Sequence, residues 1–183
     1  MLLAAVALLL QTQALGFPSG LGLDRHGNVL VADRSVHKVF RIDARSGAMT
    51  VIAGTGEPGF SGDGGPATQA QVRNPEWLAL DAQGNLILAD RGNYRVRRID
   101  ARTGVITTIA GTGRMGFSGD GGPATQADMT HPFGLAYDGQ GNLYVFDTEV
   151  HRIRRIDAAT GVITTVVGNG QPPTTESSRP TAT

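Results

Sequence analysis

The sequence contains no cysteine and a single lysine, Lys38. The absence of cysteine excludes disulfide bonds, thiolate metal sites and a cysteine nucleophile, although it does not identify a compartment. Acidic and basic side chains balance to a formal net charge of zero. The overall field of the protein therefore offers no general attraction to nucleic acid or anionic lipid, and we expect no nucleic-acid partner.

The sequence also lacks a hydrophobic run long enough to span a bilayer. Its longest apolar run, residues 1–10, fits the hydrophobic region of a secretory signal. We interpret residues 1–15 as a signal peptide and predict a secreted or periplasmic protein without a transmembrane anchor. The alternative is the divergent end of an earlier repeat, because residues 11–18 align with residues 68–75 of the next copy.

What the sequence does have is glycine in a regular pattern. Residues 59–70 read Gly-Phe-Ser-Gly-Asp-Gly-Gly-Pro-Ala-Thr-Gln-Ala, and the same letters return unchanged at residues 116–127. This interval of about 57 residues divides nearly the whole chain into three copies. Repeats of such a length are typical of propellers and solenoids, whose units must stack to bury their apolar faces.

Each copy contains four short segments rich in β-branched and aliphatic residues, and no segment has a convincing helical period. In the second copy these segments are residues 77–80, 86–89, 95–99 and 105–109. Asp-x-x-Gly-Asn joins the first two segments, and Asp-Ala-x-[Ser/Thr]-Gly joins the last two, both of which suit tight hairpins. The pattern predicts an all-β fold, a β-propeller built of four-stranded antiparallel blades.

The copies resemble the NHL repeat family. The resemblance rests on Pro-x-x-Leu-[Ala/Gly]-x-Asp, then Gly-Asn-Leu-x-x-x-Asp, then [His/Tyr]-[Arg/Lys]-[Val/Ile]-x-Arg-Ile-Asp, with the best instances at residues 75–100 and 132–157. It covers about residues 18–170, and the glycine-rich inserts look like those of bacterial multi-repeat NHL proteins, many of them exported. The family includes binding modules, sensors and a few enzymes, so the resemblance predicts the fold and leaves the activity open.

We divide the chain into three NHL-type blades with inserts between them. The predicted blades are residues 16–57, 75–113 and 132–170, the inserts are residues 58–74 and 114–131, and residues 171–183 are a Pro/Thr/Ser-rich tail or a truncated insert. Propellers close with about four to eight blades, so three make an incomplete or half propeller. We therefore expect the remaining blades to come from a longer protein or from a second copy of the chain.

In a propeller blade, the loop between the second and third strands emerges on the same face as the crossing between blades. We predict that this upper face binds a ligand. The candidate residues of the face are Asp33, Arg34, His37, Asp90, Arg91, Tyr94, His131, Asp147 and His151. Candidates near the central channel are Glu76, Trp77 and His131. Trp77 is either a channel-lining aromatic or a filler between blades, and His131 is either a channel residue or a solvated loop histidine.

The glycine loops invite chemical interpretations. Gly-x-Gly-x-x-Gly occurs at residues 54–59 and 111–116, but no helix can start after either loop to hold a pyrophosphate, so a dinucleotide site is disfavoured. Asp63 and Asp120 are weak metal candidates, since Ca²⁺ takes about six to eight oxygens and each loop supplies one carboxylate. We favour a structural crossing and expect no cofactor, with Ca²⁺ or Zn²⁺ as the alternative.

Several charged positions recur at fixed spacing, which favours a scaffold role over a functional one. We predict that Asp90 pairs with Arg95 and Asp147 with Arg152 across the ends of a hairpin. The same interpretation applies to the arginines that recur on the third strand, namely Arg41, Arg98 and Arg155.

The leading functional hypothesis is a non-catalytic binding or scaffold module for a protein, peptide or glycan. The alternative is a metal-dependent hydrolase or lyase with its site at the central channel. The NHL-like amidating lyase holds zinc with several histidines near its channel, whereas here only His131 has such a position. Single-stranded RNA binding, known in animal NHL domains, is a third hypothesis that the zero net charge disfavours.

Overall fold

The computed structural model describes residues 15–172. The segment interpreted as a signal peptide, apart from residue 15, and the tail beyond residue 172 lie outside this part of the chain. Within residues 15–172, no helix is long and apolar enough to cross a bilayer.

Three four-stranded antiparallel sheets follow one another along the chain, each a meander with its strands in sequence order. Blade 1 consists of β1 (Pro18–Leu23), β2 (Val29–Asp33), β3 (Lys38–Ile42) and β4 (Met49–Ala53). Blade 2 consists of β5 (Pro75–Leu80), β6 (Leu86–Asp90), β7 (Arg95–Ile99) and β8 (Ile106–Ala110). Blade 3 consists of β9 (Pro132–Tyr137), β10 (Leu143–Asp147), β11 (Arg152–Ile156) and β12 (Ile163–Val167). The predicted all-β fold of four-stranded blades is confirmed.

Short 3₁₀ turns are the only helical elements among the described residues. Two lie in the inserts and two follow the second strands of blades 2 and 3: Ala67–Gln69, Ala124–Gln126, Arg91–Asn93 and Thr148–Val150. None exceeds a single turn, and their contribution to the apolar core clusters is Ala67 and Ala124.

The middle blade is buried on both sides, because successive residues of a strand point to opposite faces of its sheet. Leu86 and Leu88 of β6 join the apolar cluster shared with blade 1. Ile87 and Ala89 of the same strand join the cluster shared with blade 3. The innermost strands β1, β5 and β9 lie side by side, which leaves β4, β8 and β12 at the outer edge.

The lower edge of each blade carries two hairpins that are hydrogen-bonded to each other. The Asp81 carboxylate accepts the N–H groups of Gln83 and Asn85 at 3.0 and 2.8 Å. The Asn85 side chain donates to Asp81 at 2.7 Å, and its oxygen accepts the N–H of Ala101 in the other hairpin at 2.9 Å. Arg98 lies 3.6 Å from Asp81, as expected for a scaffold residue.

The inserts, residues 58–74 and 114–131, do more than cross between blades. Gly64 donates its N–H to Ile106 O at 2.8 Å, and Ile106 donates to Gly65 O at 3.0 Å. Ala67 N–H donates to Gly104 O at 2.9 Å. Each insert therefore pairs with the outermost strand of the blade that follows it, and equivalent bonds join residues 121–124 to β12 and its preceding turn.

Blades 1 and 3 each carry apolar side chains on the face that points away from blade 2. Leu21 and Leu23 of β1 are 68% and 67% exposed. On blade 3, Phe146 and Val167 are both cross-strand partners of Ile153 and are 41% and 57% exposed. Both outer faces of the described array thus present hydrophobic side chains to solvent.

Candidate functional site: the upper edge

The loops between the second and third strands meet the inserts at the upper edge of the blades. Gly92 N–H donates to Arg73 O at 2.9 Å. The Asn93 side chain donates to Gly59 O at 2.7 Å. The predicted grouping of these loops on one face is present, and the contacts hold each loop against the insert that enters its blade.

The three aspartates predicted for this face are buried, which corrects their assignment to a ligand-binding surface. Asp33, Asp90 and Asp147 each have 0% exposure. Their carboxylates accept backbone N–H groups from the segment that leads into the first strand of the same blade, such as Arg73 N–H on Asp90 at 2.7 Å and His131 N–H on Asp147 at 2.8 Å. Each aspartate therefore fixes the entry of the chain into its blade.

Burial and hydrogen bonding act in opposite directions on the pKa of Asp33 and of Asp90. Burial works to raise the pKa of Asp33, but hydrogen bonds from Phe17, Ser35 and Gly16 outweigh it and lower the pKa below its ordinary value. Burial dominates at Asp90 and raises its pKa to about 6, against the hydrogen bonds from Asn93 and Arg73 and the nearby positive charge of Arg97.

Two arginines that the repeat pattern did not single out hold the inserts in place. Arg97 of β7 is completely buried. Its guanidinium donates to Ser61 O and Gln71 O, both at 2.9 Å, and to the Asp63 carboxylate at 2.5 and 3.1 Å. Arg154 of β11 makes the same set of bonds to the second insert. We call Arg97 with Asp63, and Arg154 with Asp120, the insert clamps.

The insert clamps use the carboxylates of Asp63 and Asp120, which the sequence offered as weak metal candidates beside the favoured structural role. One Asp63 oxygen accepts from Arg97, and the other accepts the N–H of Thr108 at 3.1 Å. Burial works to raise the pKa of Asp63, but the hydrogen bonds from Thr108 and Arg97 keep it below its ordinary value. Both carboxylate oxygens thus serve the scaffold, and Asp120 is used in the same way by Arg154 and Thr165.

The prediction that Asp90 pairs with Arg95 and Asp147 with Arg152 is wrong. The residues face each other across the strands, but their side chains do not form ion pairs. Arg95 lies 3.7 Å from the ring centroid of Phe60 and donates to Thr112 O. Arg152 lies over Phe117 in the same way, at 4.0 Å. The cation nearest to Asp90 is instead Arg97, at 3.7 Å.

Three of the predicted face residues, one at the same repeat position of each blade, adopt a left-handed backbone. His37, Tyr94 and His151 have φ of 53°, 55° and 48° at the end of each upper loop, a conformation that is uncommon outside glycine. The His37 ring accepts Asn74 N–H at 3.2 Å. Burial, followed by the positive charge of Arg73, lowers the pKa of His37.

His131 packs among the upper loops. Its ring meets Tyr94 edge-on with centroids 5.5 Å apart. Its Nδ1 lies 3.5 Å from the Glu149 carboxylate, and the side chain is 20% exposed. Of the two alternatives for His131, neither a channel ligand nor a fully solvated loop side chain describes this position, because the ring is wedged between two blades.

The inner end of the upper edge carries a cluster that breaks the repeat, made of Arg34, Glu76, Trp77 and Phe133, which we call the inner-rim cluster. Glu76 is 5% exposed and pairs with Arg34 at 3.5 Å. The second Glu76 oxygen, Oε2, is buried and accepts no hydrogen bond from the described residues. Trp77 is 37% exposed and lies 5.7 Å from Phe133 of the next blade, so it both bridges blades and faces solvent.

Arg91, the remaining predicted residue of the face, is half-buried. Its Nε donates no hydrogen bond to any of the described residues. Within residues 15–172, no three histidine, aspartate or glutamate side chains come together in a way that could hold a metal ion. The arrangement at the inner rim offers an aromatic surface, a buried carboxylate and a half-exposed guanidinium, which are groups for recognising a ligand.

Comparison with known proteins agrees with this architecture. A model of the teneurin NHL domain matches residues 114–183. The chain is 31% identical over 176 residues to the chloroplast protein SUPPRESSOR OF QUENCHING 1 of Arabidopsis thaliana, covering 90% of this chain and 16% of that protein. It is 30% identical over 156 residues to NHL repeat-containing protein 2 of Bos taurus, covering 80% of this chain and 21% of that protein.

The chain belongs to the NHL-repeat β-propeller proteins. It spans about a fifth or less of the length of these two relatives. Among solved structures, a structural genomics protein of unknown function from Bacteroides thetaiotaomicron matches with a TM-score of 0.64 and 21% identity over 83% of this chain and 36% of that one. A gluconolactonase from Xanthomonas campestris matches with a TM-score of 0.60 and 14% identity over 83% of this chain and 48% of that one. At these identities the likeness concerns the fold alone.

Proposed function

We propose that this NHL-repeat segment is a non-catalytic binding module that recognises a protein, peptide or glycan through the inner-rim cluster. The observation that carries the proposal is the break in the repeat at this place. Ser19 and Phe133 stand where blade 2 has Glu76, and Gly20 and Gly134 stand where it has Trp77. Scaffold residues such as Asp33, Asp90 and Asp147 recur in every blade, whereas a recognition site on a repeat protein needs side chains that differ between repeats.

The chemistry of the cluster suits a ligand that has both an apolar face and hydrogen-bond donors. The exposed Trp77 ring can stack on a side chain or a sugar ring. The unpartnered Glu76 oxygen can accept a hydrogen bond, and a buried acceptor without a partner gains most from one. Arg34, held in place by the Phe17 ring at 3.8 Å, can donate to an oxygen of the same ligand.

The test is to select a random peptide library and to probe a glycan array with the purified chain, and then to repeat the binding with variants. Trp77→Gly installs the residue of the other two blades. It should weaken binding of a selected ligand by at least roughly 10-fold, because aromatic residues at the centre of an interface contribute most. Arg102→Ala, on an exposed lower hairpin, is the matched control and should bind as the wild type does. If Trp77→Gly binds the ligand as tightly as the wild type does, the inner-rim cluster is not the binding site.

The alternative, a metal-dependent hydrolase or lyase with a site at the channel, is supported by the fold it shares with enzymes such as the gluconolactonase. Glu76 lies on the inner strand β5 and is the acidic residue that could contribute to such a site. Metal analysis of the purified protein distinguishes the two functions, since stoichiometric Zn²⁺ or Ca²⁺ that disappears in Glu76→Gln would favour the enzyme.

We further propose that the exposed faces of blades 1 and 3 pack against additional blades, supplied by a longer protein or by a second copy of this chain. Leu21, Leu23, Phe146 and Val167 support this proposal, because blade faces elsewhere in the array are buried. For residues 1–15 we retain the proposal of export, which a reporter fused behind these residues would test by its appearance outside the cytoplasm.

A further inference from the structure

A cavity of about 540 Å³ opens between blades 1 and 2 near their lower edge, away from the inner-rim cluster. Leu30, Val51 and Ile52 of blade 1 and Leu80, Leu86 and Ile99 of blade 2 form its apolar lining. Polar side chains also line it, among them Asp24, Arg25, His26 and Arg41. Small-molecule sites commonly have volumes of about 300–1,000 Å³ and an apolar wall with a few polar groups.

The equivalent place between blades 2 and 3 shows what fits such a cavity. Leu80 faces Leu86 across the inner strands of blade 2, and in blade 3 the same register pairs Tyr137 with Leu143. Leu80 packs against the apolar cluster between blades 1 and 2, and Tyr137 packs against the one between blades 2 and 3. At the interface of blades 2 and 3, a phenol ring therefore fills the space that Leu80 leaves open at the interface of blades 1 and 2.

The hydroxyl end of Tyr137 lies in the field of two charged residues that have counterparts in the cavity. Burial raises the pKa of Tyr137 to about 12, the negative charge of Asp81 adds to this rise, and the positive charge of Arg98 opposes it. Asp81 and Arg98 occupy the repeat positions of Asp24 and Arg41, both of which line the cavity. A phenol placed in the cavity would meet the same pair of groups.

The rim of the cavity carries two side chains that its counterpart lacks, an arginine and a histidine. Arg25 and His26 are exposed and line the cavity, whereas the repeat positions in blade 2 are Ala82 and Gln83. Arg25 donates to the His26 ring at 3.2 Å, which keeps the two side chains together. An anionic group on the ligand is the natural complement to this pair.

We propose that the cavity binds a small hydroxylated aromatic carboxylic acid, whose phenol takes the place held by Tyr137 in the next interface and whose carboxylate faces Arg25 and His26. The apolar walls enclose the ring, Asp24 and Arg41 are next to its hydroxyl, and the charged rim selects the acid. This site is separate from the inner-rim cluster and does not depend on the function proposed for it.

The test uses para-hydroxyphenylpropionate as the probe and measures binding to the whole chain by protein NMR and calorimetry. We expect one site, with shifts at residues that line the cavity. Phenylpropionate, which lacks the hydroxyl, should bind roughly 3- to 10-fold more weakly because it loses one hydrogen-bonding group. Tyramine, in which an ammonium replaces the carboxylate, should also bind at least roughly 3- to 10-fold more weakly, because it places a positive charge next to Arg25.

Variants that exchange residues between the two interfaces provide the controls. Leu80→Tyr fills the cavity as blade 3 does and should abolish binding, while Tyr137→Leu should create a second, weaker site. If Leu80→Tyr does not fold, the double substitution Arg25→Ala with His26→Gln, which copies blade 2 on the exposed rim, should weaken the acid by about 10-fold. The same substitution should not weaken tyramine, because its ammonium gains nothing from Arg25. The proposal is overturned if the probe does not bind, or if these variants bind it as the wild type does.

Discussion

Arg97 shows how one buried charge organises a large loop. The two blades that follow a described insert have arginine at this position of the third strand, and blade 1 has Phe40 there. The guanidinium replaces the hydration it loses with two carbonyl groups and the Asp63 carboxylate. Arginine suits this role because its planar fork donates several hydrogen bonds in fixed directions.

We predict that Arg97→Met lowers the free energy of unfolding by about 3–5 kcal/mol. The substitution leaves the Asp63 carboxylate and the insert carbonyls without their donor, and it removes the cation nearest to the buried Asp90. Urea denaturation followed by circular dichroism measures the change. Arg98→Met, the next residue on the same strand, removes a half-exposed ion pair and should cost less than about 1 kcal/mol. Similar losses in the two variants would contradict the clamp.

The equivalent aspartates Asp33 and Asp90 should respond to pH in opposite directions. The pKa of Asp90 is raised from 3.8 to about 6 in the folded protein, so the folded state holds a proton that the unfolded state releases. The stability gained from this proton is complete below about pH 4 and is lost as the pH rises through about 6.

We therefore expect the stability of the wild type relative to Asp90→Asn to fall between pH 4 and pH 7, by about 3 kcal/mol. Because the pKa of Asp33 is lowered, its contribution is present above the unfolded value and is lost on acidification. The difference between wild type and Asp33→Asn should thus shrink as the pH falls. Urea denaturation across this pH range measures both, and a shared pH profile would rule out the opposite shifts.

At the scale of the element, the insert is a folded unit with its own close contacts. Gly62 and Gly64 both have positive φ, 81° and 83°. A Cβ on Gly62 would lie 2.7 Å from the Cα of Ala70, whereas nothing lies within 4 Å of a Cβ on Gly64. The sequence repeats both glycines in the second insert, but the structure separates the crowded position from the open one.

We predict that Gly62→Ala destabilises the protein by at least about 1 kcal/mol more than Gly64→Ala does. Both variants force a residue with a Cβ into a left-handed conformation, at a cost of about 1–2 kcal/mol, but only the first also displaces the backbone at Ala70. Thermal unfolding compares the two, and limited proteolysis should cut the insert faster in Gly62→Ala. Indistinguishable variants would mean that the insert tolerates this displacement.

The elements were predictable because their pattern is local. The strand segments, the hairpin aspartates such as Asp81 and the upper-edge loops all follow from turn residues and alternation within one copy. The candidate site was not predictable, because its geometry depends on contacts between elements that are far apart in the chain. Asp63 meets Arg97, and Arg95 turns to Phe60 instead of Asp90. One signal was present in the sequence. Arg97 occupies a strand position whose neighbours predict burial, and a buried arginine indicates a buried partner.

At the scale of the whole molecule, the exposed apolar faces of blades 1 and 3 determine how the array behaves in solution. If each face leaves about 400 Å² of apolar surface uncovered, the lost burial is on the order of 10 kcal/mol per face. This amount is comparable to the net stability of a domain, so covering these faces matters as much as any contact within a blade.

We predict that the isolated chain self-associates, which sedimentation analysis would detect as a mass above that of one 19.1 kDa chain. Leu23→Glu should shift the mass towards that of a single chain by placing a charge on the outer face of blade 1. Met115→Glu, on an exposed part of the insert, is the control and should leave the association intact. If the wild type sediments as a compact, stable single chain, the prediction that these faces must be covered is contradicted.

The attachment of each insert to the following blade also bears on how such an array can grow by gene duplication. A copied segment that runs from residue 54 to residue 110 carries Asp63 together with Arg97, and Gly64 together with Ile106. A segment cut at the end of the insert would separate these partners into different copies. The natural crossover point therefore lies directly after the fourth strand, and a designed array could be lengthened or shortened there without breaking a clamp.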